Sequence, residues 1–388
     1  MLRRTPEFQK RLDLQAADSL EGRALRIEQR RFDRHRYLHR ALATAAILGV
    51  GLSSYASDVR ANQEMQAGAS IAIRTEGSAL DENNSDQALI LIDGFNAIDA
   101  SFLTQQMGKV VQPVIDGQLW SVGYNNAFLE KDEIAKQIIE KVHASGVNEV
   151  AIVGYSAGGD IAMQVQEYIH EHSNVVITSD ILISVPDGAK ALRPARQDEI
   201  DLVEKFAWIP GIQYSTLLRF IGEMAFRADR YNTGTIIENA QNFMTTAGQV
   251  NDSLCNNKLP GAWLMFDQVL AIEHADLKQR IDTIGKLPKD RVRPTIAYFG
   301  TAKPGYDYMV DDKKSAKGIG SYAHKAGVPF LNFSVPGAVH SRPDIANDAY
   351  IKTFATAKTA IQASLASEAS RASLHRITSR YYPPSPKN

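Results

Sequence analysis

The sequence holds one cysteine, Cys255, so no disulfide can close within the chain and no cysteine-based zinc site can be built. It has little net charge. Lys and Arg number 43 against 44 Asp and Glu, for a formal balance of −1. The balance is uneven, because residues 1–40 carry eleven basic and six acidic side chains, which leaves the rest mildly acidic. A mildly acidic globular part excludes a phosphate-tracking nucleic-acid surface, and no nucleic-acid partner is expected. There is no internal repeat. With 44% hydrophobic and 22% charged residues, the chain is not of disordered composition. No cofactor and no metal are expected.

Strongly apolar long runs are also scarce. The stretch Ala41–Ser57 is uncharged but only modestly apolar, with Leu42, Ile47, Leu48, Val50 and Leu52 among alanines. As a helix it would span about 26 Å, the lower limit for crossing a bilayer core. Arg30, Arg31, Arg34, Arg36 and Arg40 precede it and favour a cytoplasmic N-terminus. The expectation is a single-pass, membrane-anchored protein with the domain C-terminal to this run exported. Secretion after signal cleavage near Ser54-Tyr55-Ala56 is the alternative.

What the rest contains is a rhythm of short apolar strands and amphipathic helices. Strands are predicted at Ser70–Arg74, Ala88–Ile92, Leu119–Gly123, Val150–Val153, Asp180–Val185, Thr295–Phe299 and Phe330–Val335. Ile134, Ala135, Ile138, Ile139 and Val142 repeat at helical spacing, as do Ile161, Ala162, Val165, Tyr168 and Ile169. Gly146 is placed to end the first of these helices. This alternation predicts an α/β fold: a mostly parallel sheet with helices on both faces. The rhythm breaks at residues 188–292, which show helical patterns and no convincing strand. They read as a cap inserted above the sheet. The expected order is a basic segment (1–40), a transmembrane or signal-anchor helix (41–57) and a linker (58–66). Next come the first part of the core (67–187), the helical cap (188–292), the second part of the core (293–365) and a C-terminal tail (366–388).

One pentapeptide carries the chemistry. Gly154-Tyr155-Ser156-Ala157-Gly158 follows the strand at Val150–Val153 and precedes a helix. In that setting G-x-S-x-G reads as a nucleophile elbow, a sharp turn that presents a serine hydroxyl above the sheet. A serine needs a base, and the base needs an orienting acid. Of nine histidines only His340 directly follows a buried strand, which puts it on the same sheet edge as the elbow. Asp307, past the strand at 295–299, is the first choice for the acid. Asp187, Asp311 and Asp312 are its rivals. The oxyanion needs two backbone N–H donors, read as Ala157 at the helix start and Phe95 in the turn after the strand at 88–92. Gly94 would let that backbone come close.

With these residues in place the chain resembles the α/β-hydrolase fold family over roughly residues 67–187 and 293–365. The resemblance is carried by the elbow, the Asp93-Gly94-Phe95 turn and the order serine, acid, histidine. The resemblance implies an oxyanion loop after the strand at 88–92 and a cap where 188–292 lie. The sequence departs from it at Asp93, where many members have histidine. That carboxylate is expected to face away from the site and bond neighbouring backbone. The function expected is a serine hydrolase cleaving a carboxylic ester or thioester with an apolar, lipid-like acyl part. The alternatives are an acyltransferase or amidase using the same residues, or a non-catalytic, membrane-tethered binding domain.

Overall fold

The computed structural model describes residues 53–61, 70–124, 129–194, 196–197, 200, 205, 208–227, 230–231, 235–255, 262–303, 307–340, 343–344 and 346–381. The chain divides into two units, Met1–Asp58 and Val59–Asn388. Of the first, only residues 53–58 are described, and they are helical. The basic segment 1–40 and most of the run 41–57 therefore lie outside the described residues. Among the described residues no helix is long and apolar enough to cross a membrane.

The second unit is built on a seven-stranded sheet. Its strands are β1 (Ala72–Gly77), β2 (Gln87–Ile92), β3 (Gln118–Gly123), β4 (Glu149–Tyr155), β5 (Val176–Ile183), β6 (Thr295–Thr301) and β7 (Phe330–Val335). Their spatial order is β1-β3-β2-β4-β5-β6-β7. All neighbours run parallel except β1, which pairs antiparallel with β3 at the edge. The sequence shows why. Leu89, Ile90, Leu91 and Ile92 of β2 are all fully buried, as a strand covered on both faces requires. β1 instead exposes Arg74, Thr75 and Glu76, as an edge can.

Alternation sorts the strand residues between two layers. Leu89, Leu91, Val153 and Phe299 point to one face, where Met107 and Phe354 meet them. These come from the helices Ser101–Val111 and Asn347–Tyr381. Ile90, Ile92 and Ile152 point to the other face, against Ile138, Ile161 and Val165. Those belong to the helices Lys131–Ser145 and Ala157–His172. The first of these helices ends on Gly146 in the left-handed conformation, φ 68°. The helix Ser101–Val111 is an addition to the strand-and-helix reading above. It packs flush on the sheet because a Cβ on its Gly108 would stand 2.8 Å from Leu119 Cδ1.

Between β5 and β6 the described residues hold the helices Thr216–Phe226, Ile236–Cys255, Ala262–Glu273 and Leu277–Gly285. The last flanks the sheet, since Leu277, Ile281 and Ile284 bury beside Leu182, Ile296 and Ala323. The helix Ala262–Glu273 reaches the elbow, with Val269 and Ile272 clustered beside Ala157, Leu192 and Val310.

Candidate active site

Three strands end at one point. β4 runs into the elbow, β6 leads to Asp307, and β7 leads to His340. The elbow itself is strained: Ser156 holds φ 53° and ψ −132°, a backbone region L-residues avoid. Crowding dictates its glycines. A Cβ on Gly154 would sit 2.4 Å from Gly159 Cα, and one on Gly158 would sit 2.2 Å from the Ile92 carbonyl oxygen. Gly159, one residue past the motif, faces Val185, and its Cβ would meet Cγ2 at 2.2 Å.

Ser156 Oγ lies 2.8 Å from His340 Nε2, and His340 Nδ1 lies 2.7 Å from Asp307 Oδ2. All three side chains are buried. Asp307 Oδ1 accepts the N–H groups of Met309 and Val310, both at 2.8 Å, so its carboxylate is held by its own loop as well as by the imidazole. The rival acids are engaged elsewhere. Asp187 accepts from the Tyr322 hydroxyl at 3.1 Å. Asp311 caps the helix Asp312–Ala326 by accepting Lys314 N–H. Asp312 accepts from the Tyr298 hydroxyl at 2.7 Å and from Thr301 N–H at 2.8 Å. The structure thus brings together Ser156, His340 and Asp307 and leaves Asp187, Asp311 and Asp312 in structural roles.

The loop after β2 lies against the elbow. A Cβ on Gly94 would stand 2.9 Å from Ala157 N and 3.0 Å from Ser156 Cβ, so only glycine fits, and Phe95 follows it directly. The Asp93 carboxylate accepts the Gly94 N–H at 2.7 Å, bonding neighbouring backbone as the sequence led us to expect. Asp93 lines the cavity beside Tyr155 and Phe95. Removal from water pushes its carboxyl up to about 6, against the opposing pull of the Gly94 N–H.

A sheet with this order, an elbow after its central strand and an insertion above the strand ends decides the architecture. The fold is that of the α/β-hydrolases. No protein-family model and no curated protein sequence matches the chain. Solved structures similar to it include a thermostable carboxyl esterase from Bacillus coagulans, at 11% identity and TM-score 0.47, covering 75% of this chain and 94% of that one. An esterase from Exiguobacterium antarcticum gives 14% identity and TM-score 0.44, over 76% and 97% of the two chains. A bromoperoxidase from Bacillus anthracis gives 12% and 0.42, over 74% and 93%. At such identities these α/β-hydrolase likenesses concern the fold, and any function must be read from the site itself.

A cavity of about 380 Å³ lies next to the elbow, lined there by Asp93, Phe95 and Tyr155. Phe95, Phe102, Leu103 and Met309 supply apolar wall, and Arg196, Glu223, Arg227 and Arg230 supply charge from the insertion. The sequence reading of an apolar pocket missed these charged residues. A signal for them was present. Arg219, Glu223 and Arg227 follow at four-residue spacing along an otherwise apolar helix and the residue after it, the mark of a charged row buried rather than solvated.

Proposed function

We propose that the protein is a serine hydrolase acting on a carboxylic ester or thioester. The observation that carries this reading is the hydrogen-bonded row Ser156–His340–Asp307 at a strained elbow. In this mechanism Ser156 Oγ attacks the acyl carbon while its proton passes to His340 Nε2. Asp307 holds the imidazole in the tautomer with the proton on Nδ1 and stabilises the imidazolium that forms. The N–H groups of Ala157 and Phe95 receive the developing oxyanion, and the start of the helix Ala157–His172 adds a favourable field. His340 then protonates the leaving alcohol or thiol. Water, deprotonated by His340, attacks the acyl-enzyme, and collapse of the second intermediate returns the carboxylic acid and free Ser156. The apolar wall of the cavity suits an aliphatic or aromatic acyl chain near the serine.

A fluorophosphonate probe tests the reading. The intact protein should be labelled and should hydrolyse p-nitrophenyl butyrate, and Ser156→Ala should do neither. Equal behaviour of the two proteins would sink the proposal. Adding glycerol or methanol to the assay separates hydrolysis from acyl transfer, since a transferase forms the new ester in preference to the free acid. The proposal extends to location: residues 41–57 anchor the enzyme in a membrane with residues 1–40 on the cytoplasmic side. The uncharged run and its five preceding arginines support this. Release of the full-length chain by alkaline carbonate would exclude an anchor.

A further inference from the structure

We infer that the insertion docks on a lipid bilayer through exposed apolar side chains that include Trp208, Ile221, Ile237 and Met244. The inference rests on the membrane-anchor reading of residues 41–57 for its choice of partner. It turns a tether into a docked domain and does not depend on the hydrolase reading.

Half of the large apolar side chains exposed among the described residues fall within residues 208–244. The helix Thr216–Phe226 is turned inside out. Arg219 and Glu223 are 1% and 2% exposed, while Ile221, about 200° around the helix from either, is 52% exposed. A helix that faces water on its outer side puts charges there and isoleucines inward, and this one does the reverse. The helix Ile236–Cys255 packs against it. Ile237 and Met244, both exposed, are seven positions apart and so lie on one side of that second helix. Tyr231 joins the two helices. Its hydroxyl donates to the Met224 carbonyl at 2.6 Å, and its ring stands edge-on to Phe243 with centroids 5.2 Å apart. The acid next to Ile237, Glu238, is taken up at the start of its own helix, where it accepts Thr235 N–H at 2.8 Å.

The chain before the domain selects the partner. Val59 stands over Gly211, where a Cβ would meet Val59 Cγ1 at 2.8 Å. Gly211 is three residues past Trp208, so Trp208 lies within about 11 Å of that contact. Val59 is two residues past Ser57, the end of the uncharged run. A bilayer that holds the run therefore reaches the part of the insertion where Trp208 is 77% exposed. Tryptophan favours the headgroup level of a bilayer, and aliphatic side chains beside it enter the acyl boundary. Apolar surface that water would leave uncovered is covered there. The helix Thr216–Phe226 then has lipid on one side and, on the other, Glu223 in the cavity wall.

The test reads Trp208 directly. The tryptophans are Trp120, Trp208 and Trp263, so residues 41–57 contribute no signal. The full-length protein is placed in phosphatidylcholine vesicles with or without bromine on the upper acyl chain, which quenches tryptophan on contact. The difference in emission between wild type and Trp208→Phe isolates Trp208. Brominated lipid should remove about half of that difference or more. Ile221→Glu/Met244→Glu, changed at exposed positions only, should restore most of it. Alkaline carbonate extraction of the same vesicles reports the anchor separately. Trp208 quenched at neutral pH in a chain that carbonate releases would sink the anchor and leave the docked face standing. A chain that resists carbonate while Trp208 stays unquenched would overturn the inference and leave the anchor standing. Unquenched Trp208 together with self-association that the double glutamate variant abolishes would assign the face to a second copy of the chain and overturn the inference as well.

Discussion

Arg219, in the helix Thr216–Phe226, donates from Nη2 to the Asn96 side-chain oxygen at 2.6 Å. Asn96 sits next to Phe95 and holds a left-handed backbone, φ 68°. Gln268, in the helix Ala262–Glu273, clamps the same loop. Its Oε1 accepts Asn96 N–H at 2.8 Å, and its Nε2 donates to the Ala97 carbonyl at 2.9 Å. The insertion therefore also holds the backbone that is to supply one oxyanion donor. Gln268→Leu strands a half-buried N–H and a half-buried carbonyl, a loss of about 1–3 kcal/mol in stability. We expect kcat to fall about tenfold with KM changed less, measured well below the variant's unfolding midpoint. A parallel rise in KM with kcat intact would show that the clamp serves binding rather than the oxyanion loop.

The acid can be assigned by exchange. Asp307→Asn keeps the shape of the side chain but favours the wrong imidazole tautomer, so kcat should drop by about three to four orders of magnitude. Asp187→Asn and Asp311→Asn touch neither His340 nor the cavity wall and should stay within about threefold of wild type. Steady-state kinetics on one neutral ester decides among them.

Asp93 gives the pH profile a distinctive shape. Its carboxyl, raised to about 6 by loss of water contact, is neutral in acid and negative above that value. Negative charge in the loop that is to supply one oxyanion donor opposes catalysis. Asp93→Asn removes it, so the ratio of variant to wild-type kcat should climb as pH rises through about 6. We expect a plateau at roughly three- to tenfold. A flat ratio from pH 5 to 8 would mean that the carboxylate is not felt at the reacting atoms.

Asp180 is fully buried in β5, and burial raises its carboxyl to about 7. Between about 4 and 7 the unfolded chain has lost this proton while the folded chain keeps it, so stability falls with rising pH across that window. His170, lowered to about 4 by burial and by Arg291, acts in the opposite sense, so the effect is read as a difference between proteins. Asp180→Asn should gain stability relative to wild type by something on the order of 4 kcal/mol between pH 4 and pH 8, by chemical denaturation.

The glycines of the elbow differ in what surrounds them. A Cβ at Gly158 meets the backbone of Ile92 and Asp93, which cannot yield. One at Gly159 meets mainly the methyl groups of Val185. Gly159→Ala should destabilise by about 1–3 kcal/mol, and adding Val185→Ala should restore part of that loss. Gly158→Ala combined with the same second change should recover nothing. Thermal unfolding of these four variants, of Val185→Ala alone and of wild type measures the coupling.

The elbow was legible because its constraints are local. Gly154, Ser156 and Gly158 must stand at fixed intervals between a strand and a helix, and the turn cannot form otherwise. The strands were legible because burial on both faces demands unbroken apolar runs such as Ala88–Ile92. His340 could be found because it follows a strand whose end lies at the elbow's edge of the sheet. The acid was only narrowed to four candidates. Asp307, Asp311 and Asp312 all follow β6 within eleven residues, and spacing does not say which one the loop turns inward.

The amino-acid order alone settled the alternation of strands and helices and the place of Ser156 in its turn, because each depends on neighbours within one strand, turn or helix. Tertiary packing decided the rest. It chose Asp307 by closing the β6 loop around its carboxylate with the N–H groups of Met309 and Val310. It placed Asp93 at the cavity beside Tyr155, with its carboxylate bonded to the Gly94 N–H. It gathered Arg196, Arg227 and Arg230, spread over 35 positions of the insertion, around one cavity. Such groupings join residues with no fixed spacing, so their chemistry exists only once the chain has folded.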